Sequence, residues 1–326
     1  MDLTLSQLRS VTLGALEVTE DADGFHFSRL TPRQKAAFTA ADATFGPKCN
    51  ACSGIRLDFD TDSDVLAVRW HKAQTTTRKK CYFDVLVDGV LLLHSGTEDC
   101  GVDSAGKFAL RLPEGMKRVQ IVLPALVGVC LASVTLSDGA EIRPRAVQKR
   151  ILFHGDSIMQ GYDAVFPSNG LPHQLGRRWE AETVSQAVGG AKCDPAVLEY
   201  VGDFDAILVG YGTNDWSKKT AEAFAADADA FYKKLKELYP ATPVFVVLPI
   251  WRADYQTKPN TAGDFLACRA LLGQLAARQG FRVLDDFAMV PHDTRLLSDG
   301  YLHPNDLGFA LYGQRLMEML SDSGAL

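Results

Sequence analysis

Ser157 ends the run Gly155-Asp156-Ser157, directly after the apolar stretch Ile151-Leu152-Phe153, and His303 stands far downstream in Asp299-Gly300-Tyr301-Leu302-His303-Pro304. A serine hydroxyl near neutral pH is a weak nucleophile and needs a base to take its proton. An imidazole serving as that base needs an acceptor to hold its tautomer and stabilise its charge. Ser157, His303 and Asp299 offer one group for each role. Two further runs, Val188-Gly189-Gly190-Ala191 and Tyr211-Gly212-Thr213-Asn214-Asp215, each follow a stretch with strand character. Small residues and a side-chain amide brought to one sheet edge are the parts of an oxyanion hole. The chemistry implied is acyl transfer through a serine, with no metal and no organic cofactor expected.

Four separated blocks in this order resemble the SGNH, or GDSL-like, hydrolase family, named for its Ser, Gly, Asn and His, over roughly residues 149–322. The resemblance implies Ser157 as nucleophile and His303 as base, with Gly190 and Asn214 joining the Ser157 backbone N–H as oxyanion donors. Gly189 is the rival to Gly190, and Ser185 stands where relatives often carry Asn. The family usually sets the acid three residues before the histidine, whereas Asp299 lies four before His303. Gly300 can absorb the extra residue in a bulged loop because it tolerates unusual φ, and either Asp299 or a backbone carbonyl then orients the ring. Asp156 and Asp215 are expected to brace turns rather than touch substrate. His154, His173 and His292 compete with His303 on residue type alone. Trp216, Trp251 and Arg252 follow strand ends at the same sheet edge, which predicts a small acyl or sugar pocket bordered by them.

The elements that must position these groups fall into two kinds. Residues 55–59, 66–70, 83–87, 108–112 and 119–123 alternate apolar and polar side chains, the period of half-buried antiparallel strands. Asp88-Gly89 supplies a tight hairpin turn between two such runs. An N-terminal antiparallel β-sandwich, jelly-roll-like, is predicted over residues 1–146. From residue 147 to 326 apolar runs at 151–153, 206–209, 244–248 and 281–284 alternate with amphipathic segments near 171–181, 194–201, 221–239, 262–279 and 305–321, and a weaker strand is predicted at 182–186. That pattern predicts a doubly wound, three-layer α/β/α domain with a parallel sheet, whose ligands bind beyond the carboxyl ends of the strands.

Composition narrows the function further. The 326 residues carry a net charge of −6 with acids and bases intermixed, which disfavours nucleic acid and anionic membranes as partners. The seven cysteines are scattered and odd in number, which reads as reduced thiols; Cys49-Asn50-Ala51-Cys52 has metal-ligand spacing but no second pair. Met1-Asp2-Leu3-Thr4-Leu5 shows neither a basic start nor an apolar leader core, so a soluble cytoplasmic protein is the expectation. The expected partner is a small-molecule or carbohydrate ester, with a homo-oligomer left open. A sandwich followed by an SGNH domain looks like the plan of certain carbohydrate esterases, so the expected activity is removal of short acyl groups, acetyl foremost. A thioesterase or lysophospholipase with the same residues, and a glycan-binding protein with an inactive hydrolase domain, are the alternatives.

Overall fold

The alternating runs of the first half become two antiparallel sheets in the computed structural model, which describes residues 1–74, 78–101 and 103–324. The elements are α1 (Leu5–Val11), β1 (Thr12–Leu13), β2 (Glu17–Asp21), β3 (Gly24–Ser28), α2 (Pro32–Ala41), α3 (Phe45–Cys49), β4 (Arg56–Thr61) and β5 (Val65–Gln74), followed by β6 (Cys81–Val87), β7 (Val90–Thr97), β8 (Ala105–Arg111), β9 (Lys117–Val122), β10 (Gly128–Leu136) and β11 (Ile142–Pro144). One sheet runs β1-β4-β9-β6-β7, with β11 added beside β4, and the other runs β2-β3-β10-β5-β8. Inward residues of both, among them Phe59, Val68, Trp70, Phe83, Ile121 and Leu131, share one core, which makes a sandwich. Asp88 and Gly89 both take positive φ, 49° and 82°, and close the β6–β7 hairpin.

The second half comprises β12 (Lys149–Gly155), α4 (Ser157–Gln160), α5 (Leu171–Arg178), β13 (Ala181–Ser185), β14 (Ala206–Gly210), α6 (Thr213–Lys218), α7 (Ala221–Leu238), β15 (Val244–Val247), α8 (Phe265–Arg278), β16 (Arg282–Leu284) and α9 (Asp306–Asp322). Its five strands are parallel in the order β13-β12-β14-β15-β16. Successive strand residues point to opposite faces, so Leu152 joins a core with Phe231 of α7 and Leu272 of α8, while Ile151 and Phe153 join another with Leu175 of α5 and Leu316 of α9. Because β12 pairs with both β13 and β14, the chain leaves it in opposite directions, and a crevice opens beyond its carboxyl end.

The expected helix at 194–201 does not form: Asp194 caps a short 3-10 turn, Pro195–Val197, and Leu198 is already extended. Helices α1 to α3 were not anticipated. Thr4 with Gln7, and Thr31 with Gln34, make capping boxes at the starts of α1 and α2. The helices α2 and α3 do not pack inside the sandwich. Phe38, Phe45 and Cys49 join Val184, Val188 and Leu198 in the core on one face of the parallel sheet. Among the described residues no helix is long and apolar enough to cross a membrane.

Candidate active site

Strand β12 delivers its last residue, Gly155, into a gap where a Cβ would lie 2.4 Å from Met159 Cγ and 2.8 Å from Gly210 O, so only glycine fits the turn. Asp156 then caps α4, its Oδ1 accepting from Ile158 N–H at 3.0 Å, and Ser157 opens that single helical turn. Ser157 Oγ lies 2.8 Å from His303 Nε2, and His303 Nδ1 lies 2.6 Å from Asp299 Oδ2. The other Asp299 oxygen accepts the backbone N–H groups of Tyr301, Leu302 and His303 at 3.0, 2.8 and 3.1 Å. Gly300 takes φ 76°, so the additional residue between acid and base is accommodated as a left-handed turn around that carboxylate. Burial raises the Asp299 carboxyl's proton affinity, but the hydrogen bonds from His303, Leu302 and Tyr301 prevail and hold it far below the usual carboxylate range. An anionic Asp299 fixes the proton on Nδ1 and leaves Nε2 to accept from the serine. The group placed against His303 Nδ1 is thus the Asp299 carboxylate, at 2.6 Å.

The two rival glycines differ in their hydrogen bonds. Gly189 N–H donates to Gln160 Oε1 at 2.7 Å and Ala191 N–H to Val188 O at 3.0 Å. Among the described residues, the N–H groups of Gly190 and Ser157 meet no protein acceptor. Asn214 lies beside them on α6: its Nδ2 reaches Ala191 O at 3.2 Å and Asp156 Oδ2 at 3.3 Å, both long bonds. Burial pushes the Asp156 carboxyl up to about 7. Asp215 braces the neighbouring loop, accepting from Cys193 N–H at 3.1 Å and Lys219 Nζ at 2.7 Å. Both acids brace turns, as their positions suggested.

The expected aromatic pocket is corrected. Trp216 is fully buried, its Nε1 donating to Gly263 O at 2.8 Å and its ring set edge-on against Phe265. Arg252 is buried over that ring, with its fork spent on Asp254 and one N–H donated to Thr213 Oγ1 at 2.9 Å. Trp251 sits in the core beneath α9 and stacks on His292 with centroids 5.0 Å apart. Backbone bonds tie this segment to later loops, Trp251 N–H donating to Phe287 O and Ala253 N–H to Tyr301 O. His154 and His173 are buried away from Ser157; burial alone pushes His154 down to about 3.

Several residues around the site were not anticipated. Asp163, buried and at φ 71°, lies 3.9 Å from His303 Nδ1, accepts from Ser298 Oγ at 3.0 Å, and is clamped by both Nε and an Nη of Arg78 at 2.7 and 3.0 Å. Arg78 comes from the first half of the chain. The Tyr162 ring lies 5.7 Å from the His303 ring, and Tyr162 and Phe45 flank the Gly189-Gly190 turn, each within 3.2 Å of where a Cβ would stand. Asp163, Asp299 and His303 are the group among the described residues whose ligand atoms converge within 4.8 Å. Their donors are nonetheless committed to Arg78, three backbone N–H groups and one another. Tyr162 and Asp163 stand five and six residues beyond the serine, so their nearness in the chain signals them; Phe45 and Arg78 arrive by tertiary packing alone.

Residues 153–311 match the family model described as GDSL-like Lipase/Acylhydrolase family. No curated protein matches the chain. Among solved structures, a salicylyl-acyltransferase from a tetracycline biosynthetic pathway aligns with TM-score 0.80 at 23% identity, covering 97% of this chain and 95% of its own. A Bacteroides ovatus protein provisionally called a GDSL-like lipase aligns with TM-score 0.75 at 19% identity, over 99% and 97% of the two chains. An acetyl xylan esterase from the rumen bacterium Butyrivibrio proteoclasticus aligns with TM-score 0.63 at 13% identity, over 99% and 98%. At these identities the likeness is one of fold, and it extends over both halves of the chain.

Proposed function

Residues 153–311 belong to the GDSL-like lipase/acylhydrolase family, and on that premise we propose that this protein is a serine esterase removing short acyl groups, acetyl foremost, from a carbohydrate or similar polar ester. The observation that carries the reading is the continuous line Asp299–His303–Ser157, at 2.6 and 2.8 Å, with the uncommitted N–H groups of Ser157 and Gly190 in the turns that follow the adjacent strands β12 and β13. Ser157 Oγ attacks the acyl carbon as His303 Nε2 takes its proton, and the carbonyl oxygen, gaining charge, settles on the N–H groups of Gly190 and Ser157 with the Asn214 amide beside them. His303 returns the proton to the leaving alcohol, freeing it and leaving Ser157 acylated. Water deprotonated by the same nitrogen then releases the acid. Asp299 stabilises the imidazolium in both halves. The polar, carbohydrate side of the reading is supported by the acetyl xylan esterase likeness, and the short acyl side by the Phe45 and Tyr162 rings that crowd the Gly189-Gly190 turn.

An aryl acetate is the direct assay. Ser157→Ala is expected to lose at least about 10³-fold in kcat while melting normally, since the hydroxyl serves chemistry and Asp156 provides the helix cap. Activity within tenfold of wild type would remove Ser157 from the mechanism. A second reading has one specific support: the salicylyl-acyltransferase shares the whole two-part architecture. In that reading the acyl-enzyme passes its acyl group to an alcohol instead of water. Partitioning of product between acid and ester in the presence of an acceptor alcohol separates the two.

A further inference from the structure

Two side chains from the first half of the chain, Phe45 and Lys48, reach the Gly189-Gly190 turn, and Lys48 alone does so with a hydrogen bond. Lys48, on α3, is nine-tenths buried, and its Nζ donates to Gly189 O at 2.8 Å. Among the described residues no carboxylate lies within ion-pair distance of this ammonium; its other close neighbour is the face of Phe45, 5.1 Å from the ring centre. Burying an ammonium against a lone carbonyl is costly, and burial indeed lowers its pKa. The position of that carbonyl gives the arrangement a purpose. Gly189 O and Gly190 N–H belong to the same peptide plane, and in a trans peptide they point in opposite directions. Fixing the carbonyl toward Lys48 therefore fixes the N–H toward the opposite side, away from the ammonium.

This peptide is unusually free to turn over. It is flanked by two glycines, Gly190 sits at φ 90°, and no β-carbon resists rotation. A flip would replace the donor with a carbonyl oxygen facing the developing negative charge. The base of Lys48 is itself anchored: Arg29 donates to Lys48 O at 2.9 Å and Ala51 O at 2.7 Å on one side, and to Ser185 O and Ala187 O, both at 2.7 Å, on the other. We propose that Lys48 is a positioning residue that latches the Gly189–Gly190 peptide in the orientation that presents Gly190 N–H to the oxyanion, so that the N-terminal half completes the active centre. A hydrogen bond to the carbonyl also polarises the same peptide and strengthens its N–H as a donor. The proposal rests on the esterase reading.

The test uses the full chain and an aryl acetate. Removing one oxyanion donor costs about 10²- to 10³-fold in kcat, so Lys48→Met, which keeps the apolar stem over Phe45, is expected to lower kcat about 30- to 300-fold with KM within about threefold. Binding of an aryl trifluoromethyl ketone, whose hemiketal oxyanion needs the same donor, should weaken in proportion. Lys48→Arg, which retains a cationic donor, should recover most of the loss. A packing defect would instead lower the melting temperature and leave the affinity for the ketone tracking the active fraction only. If the Met variant does not fold, Lys48→Gln, too short to reach the carbonyl, takes its place with the same expected losses. A folded variant with kcat within threefold of an active wild type overturns the latch. A wild type inert to the ester and unlabelled at Ser157 by a fluorophosphonate overturns the esterase reading, and the latch with it.

Discussion

Replacing Asp299 by Asn removes one charge and retains almost every atom. The amide oxygen of Asn can keep the three backbone N–H bonds that hold residues 301–303, so the loop should survive. Its NH₂ then faces His303 Nδ1, where the carboxylate Oδ2 stood at 2.6 Å. Two donors cannot share that line, and the ring responds by moving its proton to Nε2, the nitrogen that must be bare to accept from Ser157. Electrostatics adds to the loss. An imidazolium and a carboxylate about 4 Å apart attract by about 4 kcal/mol at an effective dielectric near 20. Since 1.36 kcal/mol is a factor of ten in rate, kcat should fall by about 10³. Asp163, 3.9 Å from the same nitrogen, can partly stand in, so Asp163→Asn should cost more when combined with Asp299→Asn than alone. Aryl acetate kinetics on wild type, the two single variants and the double variant, with melting temperatures, measure both effects. A loss below tenfold in a normally folded Asp299→Asn would refute the carboxylate's role as the group that orients and stabilises His303.

Asp156→Asn concerns stability and its sign. Burial raises the Asp156 carboxyl from 3.8 to about 7, so the folded chain holds this proton more tightly than the unfolded one. The resulting penalty is absent below about pH 4, grows as pH rises through that window and is complete above about pH 7, where it amounts to about 4 kcal/mol at most. The Asn variant should melt higher than wild type at about pH 8 and not at about pH 4; an equal change at both pH values would show that the carboxyl titrates normally. Trp216→Ala should destabilise by about 3 to 5 kcal/mol in denaturant titration, as for a fully buried large side chain, with KM of the surviving enzyme nearly unchanged. A raised KM without lost stability would restore Trp216 to the substrate pocket.

The parts legible in the sequence were those written in local pattern. Strand β12 and the turn at Ser157 lie together in the chain, and the alternation in β4, β5, β6, β8 and β9 follows from the apolar face that each turns into the sandwich core. The Asp299 loop was also readable, because Gly300 is the residue a left-handed turn demands. Trp216, Trp251 and Arg252 misled because leaving a strand at the correct edge does not say what a side chain then packs against; backbone bonds tie residues 251 and 253 to later loops. Helices α2 and α3 were missed since they are short and bury Phe38, Phe45 and Cys49 against distant residues instead of a continuous stripe of their own. Arg78 reaches Asp163 across 85 positions and Lys48 reaches Gly189 across 141, separations that no local periodicity encodes.

Arg29 has a consequence for the order in which the molecule can be made. Two of the carbonyls that receive its buried guanidinium belong to Ser185 and Ala187, 156 and 158 positions further along. Chains grow at about 5 to 20 residues per second and tend to fold as they emerge. For roughly 8 to 30 seconds at those rates, Arg29 and the apolar faces of α2 and α3 wait without the strand they will cover. The sandwich strands from β4 to β10 can assemble in that interval, whereas residues 29–49 lack their packing partners until β13 has left the ribosome. The newborn first half is therefore a sandwich trailing an unfinished, exposed flap, and chaperone protection during synthesis matters most for that segment.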